Sequence, residues 1–226
     1  MPSENNKTDI PELTFFSRVS AAVSHEIKNV LAIINENAGL LEDLVLMSQK
    51  GSLLSPERLS CLAGTIQNQI KRADDIVKAM NRFAHSSDHP VDVVDLYDAA
   101  VFITGLCKWM LRSKELDVHV VSPESPVRIQ TSLFYLQALI FVCIESMVSD
   151  TSHVGAIRIG FRKMNPGAEI RFTCERSPQS YSFVNSFTSG TGFLLSYLKA
   201  ESVVDVDANC LGIQLPEGIG ELLKEQ

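Results

Sequence analysis

The chain lacks most of what the simplest functional readings need. Its 226 residues include five cysteines, at 61, 107, 143, 174 and 210, with no C-x-x-C pair. An odd, scattered set indicates neither a zinc site nor a disulfide framework. Most of these cysteines lie among apolar neighbours, which predicts buried, reduced thiols. There is no excess of positive charge: the net charge is −7 and no Lys/Arg cluster offsets it locally. That excludes a nucleic-acid surface, which needs a basic stripe. There is no long hydrophobic run either. The most apolar stretch, Leu133 to Val148, is interrupted by Gln137 and Glu145 and is too short to span a bilayer. Met1 to Asp9 is polar, with no apolar segment of the signal-peptide kind. The expectation is a cytoplasmic protein with no membrane and no nucleic-acid partner.

What is present is an ordinary globular composition, 45% hydrophobic and 21% charged, enough apolar material for a packed core. Residues 1–10 read as a polar tail. From Pro11 to about Met47 there is no further proline and one glycine. Apolar positions there recur in two heptad rows, Phe16, Val23, Val30, Leu44 and Ile27, Ile34, Leu41. Gln49-Lys50-Gly51-Ser52 then reads as a turn, and Ser55-Pro56-Glu57 as the capped start of a second helix. The rows resume as Leu59, Ile66, Ala73, Met80 and Leu62, Ile76, Phe83, with Gln69 as a polar break. Two long helices joined by a short loop make an antiparallel hairpin whose seam one copy cannot cover. Two copies would form a four-helix bundle, so a homodimer is expected.

After Pro90 the pattern changes. Short apolar alternations at 91–96, 116–121, 126–130, 156–163, 169–175, 202–206 and 210–215 read as strands. Helical patterns fall at 98–112, 133–148 and 193–199. The expected fold class is α+β: residues 11–88 as the helical hairpin, then residues 91–226 as an α/β sandwich, a sheet with helices on one face.

On the first helix, His25, Glu26 and Asn29 stand close together. His25 is two positions past the seam residue Val23, so it should face solvent, with Asn29 one turn later on the same side. A free imidazole is a nucleophile that can attack phosphorus. Glu26 could take its ring proton or hold its tautomer, and Asn29 could orient a water or the incoming carboxylate. The pattern is not H-E-x-x-H, so a zinc-protease helix is excluded. By itself such a stretch also occurs as an ordinary solvated helix face. His85, His89, His119 and His153 have no partners at ligand spacing, and Trp109 reads as a packing residue.

The run His25-Glu26-Ile27-Lys28-Asn29-Val30-Leu31, on a long helical hairpin, resembles the phosphoacceptor box of two-component histidine kinases, H-E-[ILM]-[KR]-[NT]-P-L. The second helix, from Arg72 through Phe83, resembles the partner helix of that dimerisation and phosphotransfer domain. One departure is Val30 in place of the usual proline, so the helix should lack the kink proline imposes. The second half is similar to the kinase ATP-binding domain in a worn form. Glu145 stands where the family has its magnesium-binding Asn. Glu175, in Glu175-Arg176-Ser177-Pro178, is the nearest counterpart of the adenine-reading Asp, without the following glycines. Gly190-Thr191-Gly192 begins a G-T-G-L-G-L-S-like box in which Leu194 replaces the third glycine.

The resemblance thus implies catalytic roles for His25, Glu26 and Asn29, and receiver domains of response regulators as partners. Nucleotide-box remnants are confined to Glu145, Glu175, Gly190 and Gly192. No metal or cofactor is expected, and the reading is a histidine phosphotransferase. ATP and magnesium enter only under an alternative, a divergent active kinase. A third possibility is a receiver-binding scaffold or regulator phosphatase.

Overall fold

In the computed structural model, residues 11–108, 117–149, 156–174, 191–205 and 210–219 are described. They divide into two compact units, residues 19–84 and a C-terminal unit that also takes in residues 11–18.

The first unit lies within the hairpin α1 (Pro11–Gln49) and α2 (Pro56–Ala84). α1 runs unbroken through Val30, as expected with no proline there, and at its rise per residue is about 58 Å long. It ends in a Schellman turn. The Ser52 amide donates to the Met47 carbonyl at 3.1 Å and the Gly51 amide to Ser48 at 2.9 Å, while Gly51 takes φ +94°. Ser55 caps α2: its Oγ accepts from the Arg58 amide at 3.3 Å and donates to the Glu57 carboxylate at 2.7 Å. That hydroxyl holds the Glu57 carboxyl below its usual range.

The heptad rows hold along most of the hairpin. Val23, Val30, Leu44, Leu62 and Ile76 are buried, and Ile27, Ile34, Leu41, Ile66, Ala73 and Met80 are half-buried. Leu31, Ile70 and Val77 remain exposed. The row fails at its start, where Phe15 rather than Phe16 is buried. Phe15 packs between Phe134 and Phe141, at ring-centroid distances of 5.5 and 5.4 Å. Residues 11–18 therefore follow the packing of the C-terminal unit. One residue is about 100° of helix rotation, enough to change which phenylalanine points inward.

The C-terminal unit is built on a five-stranded sheet in the order β2-β4-β5-β7-β6: Asp117–Val120, Ala156–Lys163, Ala168–Cys174, Cys210–Leu215 and Glu201–Asp205. β2 pairs parallel to β4 and the rest are antiparallel. The register aligns Ile159 with Phe172 and Phe172 with Leu211, and likewise Ile170 with Ile213. These residues are buried, as the two-residue period of a strand with one covered face requires. They pack under α3 (Leu96–Leu106) and α4 (Leu133–Ser149), whose Ile103, Leu136, Ile140 and Ile144 fill the layer above. Asp95 caps α3, accepting from the Tyr97 amide at 3.1 Å. The opposite face carries Arg158, Arg162 and Arg171, with Glu169 buried between the last two at 3.1 and 3.2 Å.

The Asn165-Pro166-Gly167 turn joins β4 to β5, and Gly167 is needed there. It takes φ +91°, and an added Cβ would come within 2.1 Å of the Leu215 carbonyl oxygen.

One expectation is corrected. The first and third strands, β1 (Asp92–Asp95) and β3 (Arg128–Thr131), form a separate antiparallel ribbon outside the main sheet. A single sheet was a natural reading because strand patterns carry no information on partner choice. The last helix among the described residues, α5, spans residues 191–198.

Candidate functional site

Burial along 23–30 follows the turn of the helix. Val23, Glu26 and Val30 point inward, Ile27 is half-buried, and Ser24, His25, Lys28 and Asn29 are exposed. The exposed pair is one turn apart and in contact: Asn29 Nδ2 lies 3.3 Å from His25 Nδ1. The same amide nitrogen lies 3.5 Å from Glu26 Oε2.

The sequence reading makes Glu26 the base or the orienter of the ring. Its side chain is only 7% exposed and forms an ion pair with Arg72 on α2. A buried carboxylate needs a cation or donors, because a bare charge in a low-dielectric interior is costly, and Arg72 supplies one from across the hairpin. Glu26 therefore reaches the ring through Asn29. The role of Arg72 was not legible in the sequence. α2 offers Lys71, Arg72, Lys78 and Arg82 as cations, and only the packed geometry selects which one meets this turn of α1.

Of the nucleotide-box remnants, Glu145 and Gly192 are among the described residues. Glu145, half-buried on α4, forms an ion pair with Arg18 from the first turns of α1. The resemblance would ask that position for a metal ligand, and here its carboxylate faces a guanidinium. Thr191 and Gly192 open α5, and Leu194, where the family has a glycine, is buried at 1% exposure. Glu175 and Gly190 lie outside the described residues, as do Trp109 and His153. Among the described residues no group of three or more His, Cys, Asp or Glu could hold a metal ion, and no helix is long and apolar enough to cross a membrane. Residues 128–129, 163–167 and Glu217 line an open pocket at the β4–β5 turn, of about 500 Å³, in the same unit as Glu145.

Of the cysteines, 107, 143 and 174 are buried and 61 is exposed. Burial pushes the Cys107 thiol up to about 12, with Glu145 adding to the shift, and raises Cys143 as well. Such thiols stay protonated and unreactive near neutral pH.

No family model matches the chain, and no curated protein is significantly similar to it. Among solved structures it is similar to the Acinetobacter baumannii histidine kinase AdeS, with 11% identity, 85% of this chain and 98% of that chain covered, and a TM-score of 0.48. It is similar also to the histidine kinase ThkA in complex with response regulator protein TrrA, with 16% identity, coverages of 92% and 64%, and a TM-score of 0.48. A third is the cytoplasmic segment of histidine kinase QseC, with 11% identity, coverages of 66% and 95%, and a TM-score of 0.43. What the chain does has to be read from its own side chains.

Proposed function

We propose that this chain is a two-component signalling protein, a histidine phosphotransferase that relays phosphate between His25 and the aspartates of response-regulator receiver domains. The observation that carries the reading is His25 itself. It is exposed on a long rigid helix, touched at Nδ1 by Asn29, and set beside a glutamate anchored across the hairpin. In the transfer step a ring-nitrogen lone pair attacks the phosphorus of an aspartyl phosphate. An N–P bond forms, the P–O bond to the aspartate breaks, and the carboxylate leaves with the bonding pair. Asn29 steadies the ring and Lys28, exposed beside it, can pair with acidic groups of a receiver.

Phosphate from a receiver, and not from ATP, is favoured by the state of Glu145 and Leu194. One is paired with Arg18 and the other is buried in the core, so neither offers the metal or phosphate contacts that phosphoryl transfer from a nucleotide depends on. The C-terminal unit then acts as a docking wall. We further propose that the hairpin pairs with a second copy as a four-helix bundle. Leu31, Ile70 and Val77 are exposed on it, beside half-buried Ile27, Ile66 and Ala73, more apolar surface than a solvated helix pair needs.

Incubation with a receiver carrying labelled phosphate should transfer label to the chain, and His25→Gln should abolish the transfer. Label arriving from ATP with magnesium would instead support an active kinase. Receivers that bind without any movement of label would mean a scaffold. In sedimentation the chain should run as a dimer and Ile70→Asp should shift it to monomer; a monomeric wild type removes the bundle from the reading.

A further inference from the structure

The side chains around His25 form a line of contacts that crosses from one helix to the other. Arg72 on α2 holds Oε1 of Glu26. The other carboxylate oxygen, Oε2, accepts from Asn29 Nδ2 at 3.5 Å, and that nitrogen also donates to His25 Nδ1 at 3.3 Å. An amide –NH₂ carries two hydrogens, so it can make both bonds at once. A donor facing Nδ1 requires a lone pair there, and in neutral imidazole the proton is then on Nε2. In that tautomer the nitrogen left unengaged by Asn29 has no lone pair with which to attack phosphorus.

We propose that Arg72 is a positioning residue that keeps His25 in the Nε2–H tautomer, acting through Glu26 and Asn29; this rests on the phosphotransfer reading above. For Nε2 to attack, the ring proton must move to Nδ1, and something must accept a hydrogen bond from it there. Asn29 can do so only by turning its Oδ1 toward the ring. While Arg72 holds Glu26, that turn brings Oδ1 against Oε2, two acceptors with no hydrogen between them, and is disfavoured. Once Glu26 is released, its own carboxylate can accept from Nδ1–H, and the lone pair sits on Nε2. That pair then forms the N–P bond as the aspartyl P–O bond breaks, with the proton remaining on Nδ1 until a base takes it. Arg72 is 45% exposed, so an acidic group on a docking partner can compete for it. Receiver docking would in this way unlock the nucleophile it is about to use.

The test is nitrogen-15 NMR of the full chain labelled in histidine, with the His25 signals assigned by their loss in His25→Gln. Wild type should show a protonated Nε2 and an unprotonated Nδ1 at His25. Arg72→Lys should keep that pattern. Arg72→Gln should move the proton to Nδ1 and raise the rate of label transfer from a phosphorylated receiver by on the order of a hundredfold, the low end of what a correctly placed proton contributes. A wild type already protonated at Nδ1, an unchanged tautomer in Arg72→Gln, or a slower transfer in that variant would each overturn the proposal. If Arg72→Gln does not fold, Asn29→Ala breaks the same line at an exposed position. With Glu26 still held, it removes only the donor facing Nδ1, so both tautomers should be populated, and an unchanged tautomer there overturns the proposal. Loss of the broader reading shows up separately, as wild-type His25 that takes no label whatever its tautomer.

Discussion

Two glutamates stand at motif positions, one in each unit, and each is held by an arginine from another helix: Glu26 by Arg72 and Glu145 by Arg18. The similarity ends there. Glu26 is the more deeply buried, with 7% of its side chain exposed against 26% for Glu145. It also keeps one oxygen toward Asn29 and, through it, toward an exposed imidazole. One turn from the Arg18–Glu145 pair, the same two helices bring together the rings of Phe15 and Phe141. In the hairpin an ion pair is joined to a nucleophile. In the C-terminal unit an equivalent pair is joined to packing. A charged residue at a motif position therefore means little until its partners are known.

The contrast can be broken or sharpened by substitution. The largest effect should come from the C-terminal core. Phe172 is fully buried between Ile159 and Leu211, and Phe172→Ala should cost about 3–5 kcal/mol in urea unfolding. A cost below about 1 kcal/mol would mean the sheet and helices are not packed as described. Next, Glu26→Ala leaves Arg72 without its buried partner and should cost about 1–3 kcal/mol by the same measurement. Arg18→Ala removes a more exposed pair and should cost at most about 1 kcal/mol. If Arg18→Ala proves the more damaging of the two, the ranking of the pairs is reversed. The smallest effect expected is that of nucleotide. A ligand at a hundred times its Kd stabilises by about 2.7 kcal/mol, so millimolar Mg-ATP would raise the melting temperature of any chain that binds it with micromolar affinity. No rise is predicted, and a clear one would return Glu145 and α5 to a catalytic role.

The parts readable in the sequence were those set by short-range periodicity and capping. β4 and β7 occupy the residues their alternation predicts, and α2 begins where Ser55 caps it. Asn29 was placed beside His25 by helical spacing alone. What could not be read depended on which elements meet. The exchange of Phe16 for Phe15 required knowing that the first turns of α1 pack against α4. The separation of β1 and β3 from the main sheet is a matter of partner choice. The capture of Glu26 by Arg72 joins residues 46 positions apart, and depends on the rotation and offset of one helix against another, which no local pattern encodes.

The central claim is that His25 takes its phosphate from a protein and not from a nucleotide. Parallel incubations with a phosphorylated receiver and with Mg-ATP, both labelled on the transferable phosphate, put it to the test when the label is mapped to its residue. The prediction is label on His25 from the receiver, none from ATP, and none from either donor in His25→Gln. Label on His25 from ATP, or on some other residue from the receiver, would contradict it.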